Sequence, residues 1–145
     1  MNDAAIRTAW LLGLGGLLPF AGAALVGLAS PGWHDLALLA LRSYGAVILA
    51  FLGAVHWGFA LLPEVGREAA GPKRLVLGIV PALVAWVALL LPVGPALALL
   101  ALAILATAAA EQWAAAEALV PHSYMRLRWV LSAGAATCLL MGLIA

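Results

Sequence analysis

The chain has 145 residues, of which 67% are hydrophobic and 9% are charged, and its mean hydropathy is +1.16. Soluble domains are about half apolar and about one quarter charged, and a soluble chain of this size leaves about a third of its surface exposed. This composition therefore excludes an ordinary soluble protein. The formal net charge of +1 argues against a nucleic-acid partner, because phosphate binding requires a concentrated basic surface.

Charged residues, prolines and glycines divide the sequence into five long apolar runs. A membrane-spanning helix needs about 20 mostly apolar residues, and helices satisfy their own backbone groups in hydrocarbon. We therefore predict one all-α transmembrane domain over residues 1–145, a bundle with helices at about 9–29, 36–62, 75–91, 96–115 and 125–144. The first run is long enough to span and has no convincing cleavage site, so we expect a retained helix, not a signal peptide.

Two of the predicted helices contain a proline in mid-span. Pro19 follows Gly13, Gly15 and Gly16 in the first helix, and Pro81 interrupts the third. Proline frees a backbone carbonyl and kinks a helix, and broken helices line substrate sites in some transporters. Glycine and proline are also frequent in ordinary membrane helices, so we favour a packing kink over a substrate-lining break.

The positions of lysine and arginine predict the orientation of the bundle. With five helices, one side of the membrane receives the N-terminus, the polar loop 64–74 and the loop before the fifth helix. That side holds all but one of the 7 cations, namely Arg7, Arg67, Lys73, Arg74, Arg126 and Arg128. The exception, Arg42, lies inside the second helix. By the positive-inside rule, this asymmetry predicts the N-terminus inside and the C-terminus outside.

The second predicted helix has a polar stripe beside a stripe of small residues. At about 100° per residue, the polar stripe consists of Arg42, Gly45, Leu49, Gly53 and His56. The small-residue stripe consists of Ala46, Ala50, Ala54 and Gly58. Small residues at four-residue spacing let neighbouring helices approach closely. We therefore predict that this helix is central and that its polar stripe faces the bundle interior.

His56 lies about 9 Å from the inner end of the second helix, at a rise of about 1.5 Å per residue. An ionisable residue at such a depth is a candidate functional residue with a partner to be named. The best partner is Glu111 near the inner end of the fourth helix, followed by Gln112. Two interpretations stay open: an inward-opening ligand pocket that Trp57 and Trp113 also line, or an interhelical hydrogen bond that fixes packing. The sequence favours the packing interpretation.

Arg42 and Tyr44 complete the candidate ligand-binding residues. Arg42 lies toward the outer end of its helix, where it would reach the headgroups, pair with Asp35 on the same face, or bind a ligand anion. The three histidines lie at different depths, with His34 and His122 in loops on opposite sides, so we expect no metal or haem site. Hydrolase, metalloprotease and redox motifs are absent, and we predict neither a catalytic residue nor a cofactor.

Three stretches of the sequence resemble a known family. They are LGLGGLLPF at 12–20, YGAVILAFLGAVHWG at 44–58, and LVP at 119–121 with Tyr124, Leu127 and Arg128. On these stretches the chain resembles the bacterial relatives of the animal mitochondrial protein called transmembrane protein 69. The FLGxxHWG core at 51–58 is the most specific, whereas the third stretch lacks a Trp expected where His122 or Ser123 stands. The resemblance implies a small multi-helix protein of a bacterial inner membrane, adds weight to His56 and Trp57, and supplies no reaction.

Three functions fit these observations. The sequence favours a non-enzymatic protein that binds a lipophilic ligand or helps to assemble or stabilise a membrane-protein partner. The second is a small transporter or channel subunit, which at this size would act as a homo-oligomer. The third is a membrane enzyme that acts on a quinone or lipid, with His56 and Glu111 in acid–base roles. All three place a multi-pass protein in the lipid bilayer of a bacterial inner membrane.

Overall fold

The computed structural model describes residues 3–61, 71–116 and 122–145. In these ranges the chain forms α1 (Asp3–Ala29), α2 (His34–Leu61), α3 (Gly71–Leu90), α4 (Val93–Ala116) and α5 (His122–Met141), with a short 3₁₀ helix at Pro31–Trp33 before α2. These ranges contain no strand, and the predicted all-α bundle of five helices is confirmed. Arg67 of the cation count and residues 119–121 of the third motif lie outside the described residues.

Three helical segments are long and apolar enough to cross a membrane by length and composition: Ala4–Ala29, Pro31–Gly58 and Val93–Trp113. A fourth segment, Arg74–Leu90, is a shorter apolar helix. Large apolar side chains are exposed on all five helices. A bundle that exposes so much apolar surface is stable in lipid, where this surface has no water to contact.

The two mid-span prolines do not interrupt their helices. Pro19 lies inside α1 and Pro81 lies inside α3, and both helices continue through them. The structure therefore shows no helix break at either residue. Pro81 is buried, and a Cβ added at Gly53 of α2 would lie 3.3 Å from the Pro81 Cβ. This proline therefore contributes to the packing of α3 on α2.

Helices α1, α3 and α5 begin at the same end of the bundle, where α2 and α4 finish. Near the end of α2, the Trp57 indole Nε1 donates to the carbonyl of Leu75 near the start of α3, at 3.2 Å. A Cβ added at Gly13 of α1 would lie 2.7 Å from a methyl group of Leu131 of α5, and a Cβ added at Gly134 of α5 would lie 2.8 Å from a methyl group of Leu17 of α1. The residue numbers rise together along the two helices, so α1 and α5 run parallel. We call this the cationic end, because four described arginines lie toward it: Arg7, Arg74, Arg126 and Arg128.

The central position of α2 follows from its contacts with all four other helices. Gly45, Leu49, Gly53 and His56 are buried, and Arg42 is half-buried. The predicted placement of the polar stripe toward the bundle interior is therefore confirmed. This face of α2 carries His56 to the inside of the cationic end.

The small-residue stripe of α2 behaves differently from the prediction. Ala46 is buried, but Ala54 and Gly58 are exposed, because the face that carries them turns away from the neighbouring helices. A close contact with α3 instead uses Gly53 of the polar stripe. A Cβ added at Gly78 of α3 would lie 2.9 Å from the Gly53 carbonyl oxygen, so the two backbones touch where only glycine fits.

The apolar core lies mainly between α2, α4 and α5. Its largest fully buried apolar side chains are Phe20, Leu41, Leu49, Leu97, Leu100, Ile104 and Leu139. Phe20 joins α1 to this core through an edge-on contact with the Tyr44 ring, at 4.8 Å between centroids. The core fills the middle of the bundle and leaves the buried polar side chains toward the cationic end.

Candidate functional site

A buried polar network joins α2, α4 and α5 at the cationic end, and it consists of His56, Glu111, Arg128 and Ser132. The His56 Nε2 lies 3.2 Å from the Glu111 Oε1. The Arg128 Nε donates to the Glu111 Oε2 at 2.6 Å, and the Arg128 Nη1 donates to the Ser132 Oγ at 2.7 Å. The structure therefore pairs His56 with Glu111, the partner that the sequence predicts, and adds two residues of α5.

Helix geometry explains how single residues on three helices reach one another. His56 lies five residues before the end of α2, Glu111 lies five residues before the end of α4, and Arg128 lies six residues after the start of α5. These separations correspond to similar depths of about 8–9 Å. Ser132 follows Arg128 by four residues, which places both side chains on one face of α5.

The side chains of this network are buried, so each charge among them needs a partner. The exposed fractions are 6% for His56, 2% for Glu111, 3% for Arg128 and 1% for Ser132. A buried charge is costly unless it is paired and hydrogen-bonded. Glu111 is the carboxylate that meets this requirement for Arg128, and its other oxygen lies 3.2 Å from the His56 imidazole, within ion-pair distance. One negative charge therefore serves two basic side chains.

One donor of the network has no partner within the described residues. The Arg128 Nη2 is buried and makes no hydrogen bond, although Nε and Nη1 of the same guanidinium are both used. Buried donors are nearly always satisfied, and a buried guanidinium donor left unpaired is especially costly. This atom marks a position that an acceptor from outside the described chain would stabilise.

A cavity of about 410 Å³, which we call the Arg128 cavity, lies between α1, α2 and α5, and Arg128 is one of its lining residues. Arg128, Ser132 and Tyr124 are its hydrogen-bonding side chains, and the rest of its lining is apolar. Leu12 and Phe51 line it and are exposed, at 73% and 63%, so the cavity opens onto the apolar outer surface. Such a volume and lining are typical of pockets for one small molecule.

A second cavity of about 350 Å³, the His56 cavity, lies between α3 and α4 on the other side of the network. His56 and Thr107 are the polar side chains among its lining residues. The Thr107 hydroxyl donates to the Ala103 carbonyl of its own helix at 2.8 Å. His56 therefore stands between Glu111 on one side and this apolar cavity on the other.

The two tryptophans predicted to line a pocket with His56, and Gln112, its second predicted partner, lie elsewhere. Trp57 is 44% exposed and Trp113 is 78% exposed, so neither ring is enclosed beside His56. Gln112 is exposed, and its Oε1 accepts from the indole Nε1 of Trp129 at 3.1 Å. The structure thus brings Glu111 to His56 and leaves the two tryptophans and Gln112 at the surface of the bundle.

Arg42 and Tyr44 lie away from the network, toward the other end of α2. The Arg42 Nη1 donates to the Leu91 carbonyl after α3, at 3.1 Å. The Tyr44 hydroxyl donates to the Gly16 carbonyl of α1, at 2.9 Å. Asp35 is exposed. Both candidate residues therefore hold neighbouring backbone carbonyls in place.

Sequence reasoning did not select Arg128, Ser132 or Tyr124 as site residues. Arg128 entered only as one of the inner-side cations and as part of a motif, although its position inside the fifth apolar run was visible. Arg128 and Ser132 at a spacing of four on one helix face, at the depth of Glu111, form the signal that would have identified them. Among the described residues, no three His, Cys, Asp or Glu side chains gather into a group that could hold a metal ion.

Comparisons of the sequence with known proteins show the family of this chain. Transmembrane protein 69 of Xenopus tropicalis is 43% identical over 84 residues, which cover 58% of this chain and 33% of that protein. Transmembrane protein 69 of Mus musculus is 32% identical over 84 residues, which cover 58% of this chain and 34% of that protein. The chain thus spans about a third of the length of these relatives, and no solved structure matches it. The family described as "Protein of unknown function (DUF3429)" matches residues 5–144, and the chain belongs to this family.

Proposed function

We propose that this multi-pass protein of the bacterial inner membrane binds one single-chain amphiphile, drawn sideways from the bilayer into the Arg128 cavity. The observation that carries the proposal is the buried Arg128 Nη2, which has no partner within the described residues and lies on a residue that lines an apolar cavity. A ligand with an acceptor in its head group would satisfy this donor, and its chain would fill the apolar part.

The lining divides into a polar and an apolar part that match such a ligand. Arg128, Ser132 and Tyr124 supply hydrogen-bond donors from α5. Leu12, Leu17 and their neighbours on α1 and α2 supply an apolar surface that is continuous with the outside of the bundle. A chain that moves from the bilayer into this surface exchanges one apolar environment for another, so the polar contact at Arg128 determines which molecule stays bound.

The geometry supports binding more than catalysis. Both carboxylate oxygens of Glu111 are engaged, one by His56 and the other by Arg128. A general base must be free to take a proton from a substrate within hydrogen-bond reach. Glu111 does not line the Arg128 cavity, and its ion pair with Arg128 holds it away from that role. The acid–base enzyme is therefore the weaker alternative.

Two neighbouring glycines of α1 provide a matched pair of variants. Gly16 lines the Arg128 cavity, and the nearest neighbour of a Cβ added there would be the Tyr44 hydroxyl at 3.8 Å. Gly15 is exposed, and a Cβ added there would meet nothing within 4 Å. Gly16→Leu would therefore place its side chain in the cavity, whereas Gly15→Leu adds the same side chain to the outer surface.

Photolabelling tests the proposal. The protein, in phosphatidylcholine nanodiscs, is irradiated with palmitic acid that carries a diazirine, and labelled peptides are identified by mass spectrometry. We expect saturable labelling of the cavity faces of α1, α2 and α5, which excess palmitic acid prevents. Gly16→Leu should abolish this labelling, and Gly15→Leu should retain it. Labelling spread evenly over the outer faces, or equal in both variants, would refute a binding site in the Arg128 cavity.

A further inference from the structure

The charges of the buried polar network limit which head group the Arg128 cavity accepts. Glu111 carries one negative charge and Arg128 one positive charge, and the two are joined at 2.6 Å. With His56 neutral, the network has no net charge. With His56 protonated, it has one uncompensated positive charge, because Glu111 already serves Arg128.

An anion in the Arg128 cavity would compensate the extra positive charge that the network carries when His56 is protonated. The unpartnered Nη2 belongs to the same guanidinium that Glu111 holds, and arginine recognises carboxylate and phosphate oxygens through such donors. Arg128, Ser132 and Tyr124 all line the cavity as donors, and no carboxylate is among the lining residues. An anion that entered next to a neutral His56 would leave one uncompensated negative charge at a buried site, which is costly.

Resting on the proposed function, we infer that the ligand is an anionic amphiphile and that its binding takes up one proton from water onto His56. The anion, Arg128, Glu111 and the His56 imidazolium then form two pairs of opposite charge, so these four groups together are electrically neutral. The proton goes to the imidazole, no covalent bond forms or breaks, and the structure of the network need not change. The anion of an acid would thus bind at Arg128, and one proton would bind at His56.

The groups around His56 come from every helix packed against it. The α4 helix supplies Glu111 at 3.2 Å, and α5 supplies Arg128, which is paired with Glu111, and Tyr124, which lines the same cavity as Arg128. The α3 helix carries Arg74, which is buried toward the same end of the bundle and has a partner of its own, so it is not counted with the charges of the network. Among these groups only histidine ordinarily changes its charge near neutral pH, so proton uptake in that range is assigned to His56.

The experiment measures how the affinity for an ionised probe depends on pH. Dodecyl sulfonate, which stays ionised throughout, competes with the photoreactive palmitic acid for the protein in phosphatidylcholine nanodiscs between about pH 5.5 and 8.5, the range that brackets histidine titration. Uptake of one proton makes the affinity fall about tenfold per pH unit on the alkaline side of that titration. The neutral 1-dodecanol should show no such dependence.

Two variants separate His56 from other sources of pH dependence. His56→Gln keeps a hydrogen-bonding side chain but cannot take a proton, and its sulfonate affinity should be independent of pH. His34→Gln is the matched control, because the His34 Nδ1 contacts the Gly27 carbonyl at the opposite end of the bundle, at 3.0 Å. It should keep the wild-type slope.

The outcomes distinguish this inference from the proposed function. A sulfonate affinity that does not change with pH in the wild type, or the same slope in His56→Gln, would overturn the proton uptake. Displacement by 1-dodecanol but not by sulfonate would overturn the anionic head group while leaving the cavity as a binding site. If neither probe displaces the photolabel and no saturable labelling occurs, the proposed function itself is wrong. Parallel runs with palmitic acid and a monoacyl phosphate show which anionic head group the site prefers.

Discussion

Replacement of Glu111 by Gln tests whether the buried network is ionic or an ordinary set of interhelical hydrogen bonds. The variant keeps the volume and an acceptor but leaves the Arg128 guanidinium, which is 3% exposed, without a counterion. Removal of one partner of a buried ion pair costs about 3–5 kcal/mol. Interhelical hydrogen bonds in membranes contribute about 0.6 kcal/mol on average. The two cases therefore differ about fivefold, and we expect a loss of at least about 3 kcal/mol in the free energy of unfolding.

Unfolding in mixed micelles, with increasing fractions of a denaturing detergent and helix content as the signal, measures this difference. Gln112→Ala is the control, since Gln112 is exposed and loses only its bond to Trp129, at a cost of about 1 kcal/mol or less. The double variant Glu111→Gln with Arg128→Gln removes both charges and should recover part of the loss. A Glu111→Gln variant that unfolds like Gln112→Ala would refute the ionic interpretation of the network.

Three further substitutions test the contacts that build the bundle. Gly78→Ala should destabilise the protein by about 1–3 kcal/mol through overpacking, because its Cβ would lie 2.9 Å from a backbone oxygen of α2. Gly58→Ala, where a Cβ meets nothing within 4 Å, should be neutral or stabilising by up to about 1 kcal/mol. Tyr44→Phe should cost about 1 kcal/mol, since its hydroxyl donates to a carbonyl of α1. Arg42→Gln should cost about 1.5 kcal/mol, since a charged donor to the carbonyl after α3 is lost. Unfolding in the same micelles measures each, and equal stability of the two alanine variants would contradict the close crossing of α2 and α3.

The helical bundle was predictable for two reasons. The apolar runs are long enough to span a bilayer, and in lipid a helix satisfies the hydrogen bonds of its own backbone. The inward face of α2 was predictable too, since His56 and Arg42 share a stripe that lipid would not tolerate. The pairing of His56 with Glu111 followed from their similar depths in two helices. Depth alone does not give the rotation of a helix about its axis, which is why the outward positions of Trp57 and Trp113 were not foreseen.

The α5 part of the site was not predictable from composition and charge counts. Arg128 counts as a cation near a membrane boundary whether its side chain faces water or the bundle interior. The positive-inside rule therefore does not predict which way this side chain points. Its role depends on a neighbour from another helix, Glu111, and on the rotation of α5 that brings Ser132 to the same face. The cavity beside it depends on the shapes of three helices at once, which no single stretch of sequence records.

Native mass spectrometry of the protein purified from its own membranes tests the central claim most directly. A ligand bound in the Arg128 cavity predicts one bound molecule of defined mass per chain, whose dissociated form is an amphiphile. It should be retained in Gly15→Leu and absent in Gly16→Leu. Wild-type protein that carries no bound molecule, or a bound molecule that both variants retain equally, would contradict the claim that this cavity is a ligand-binding site.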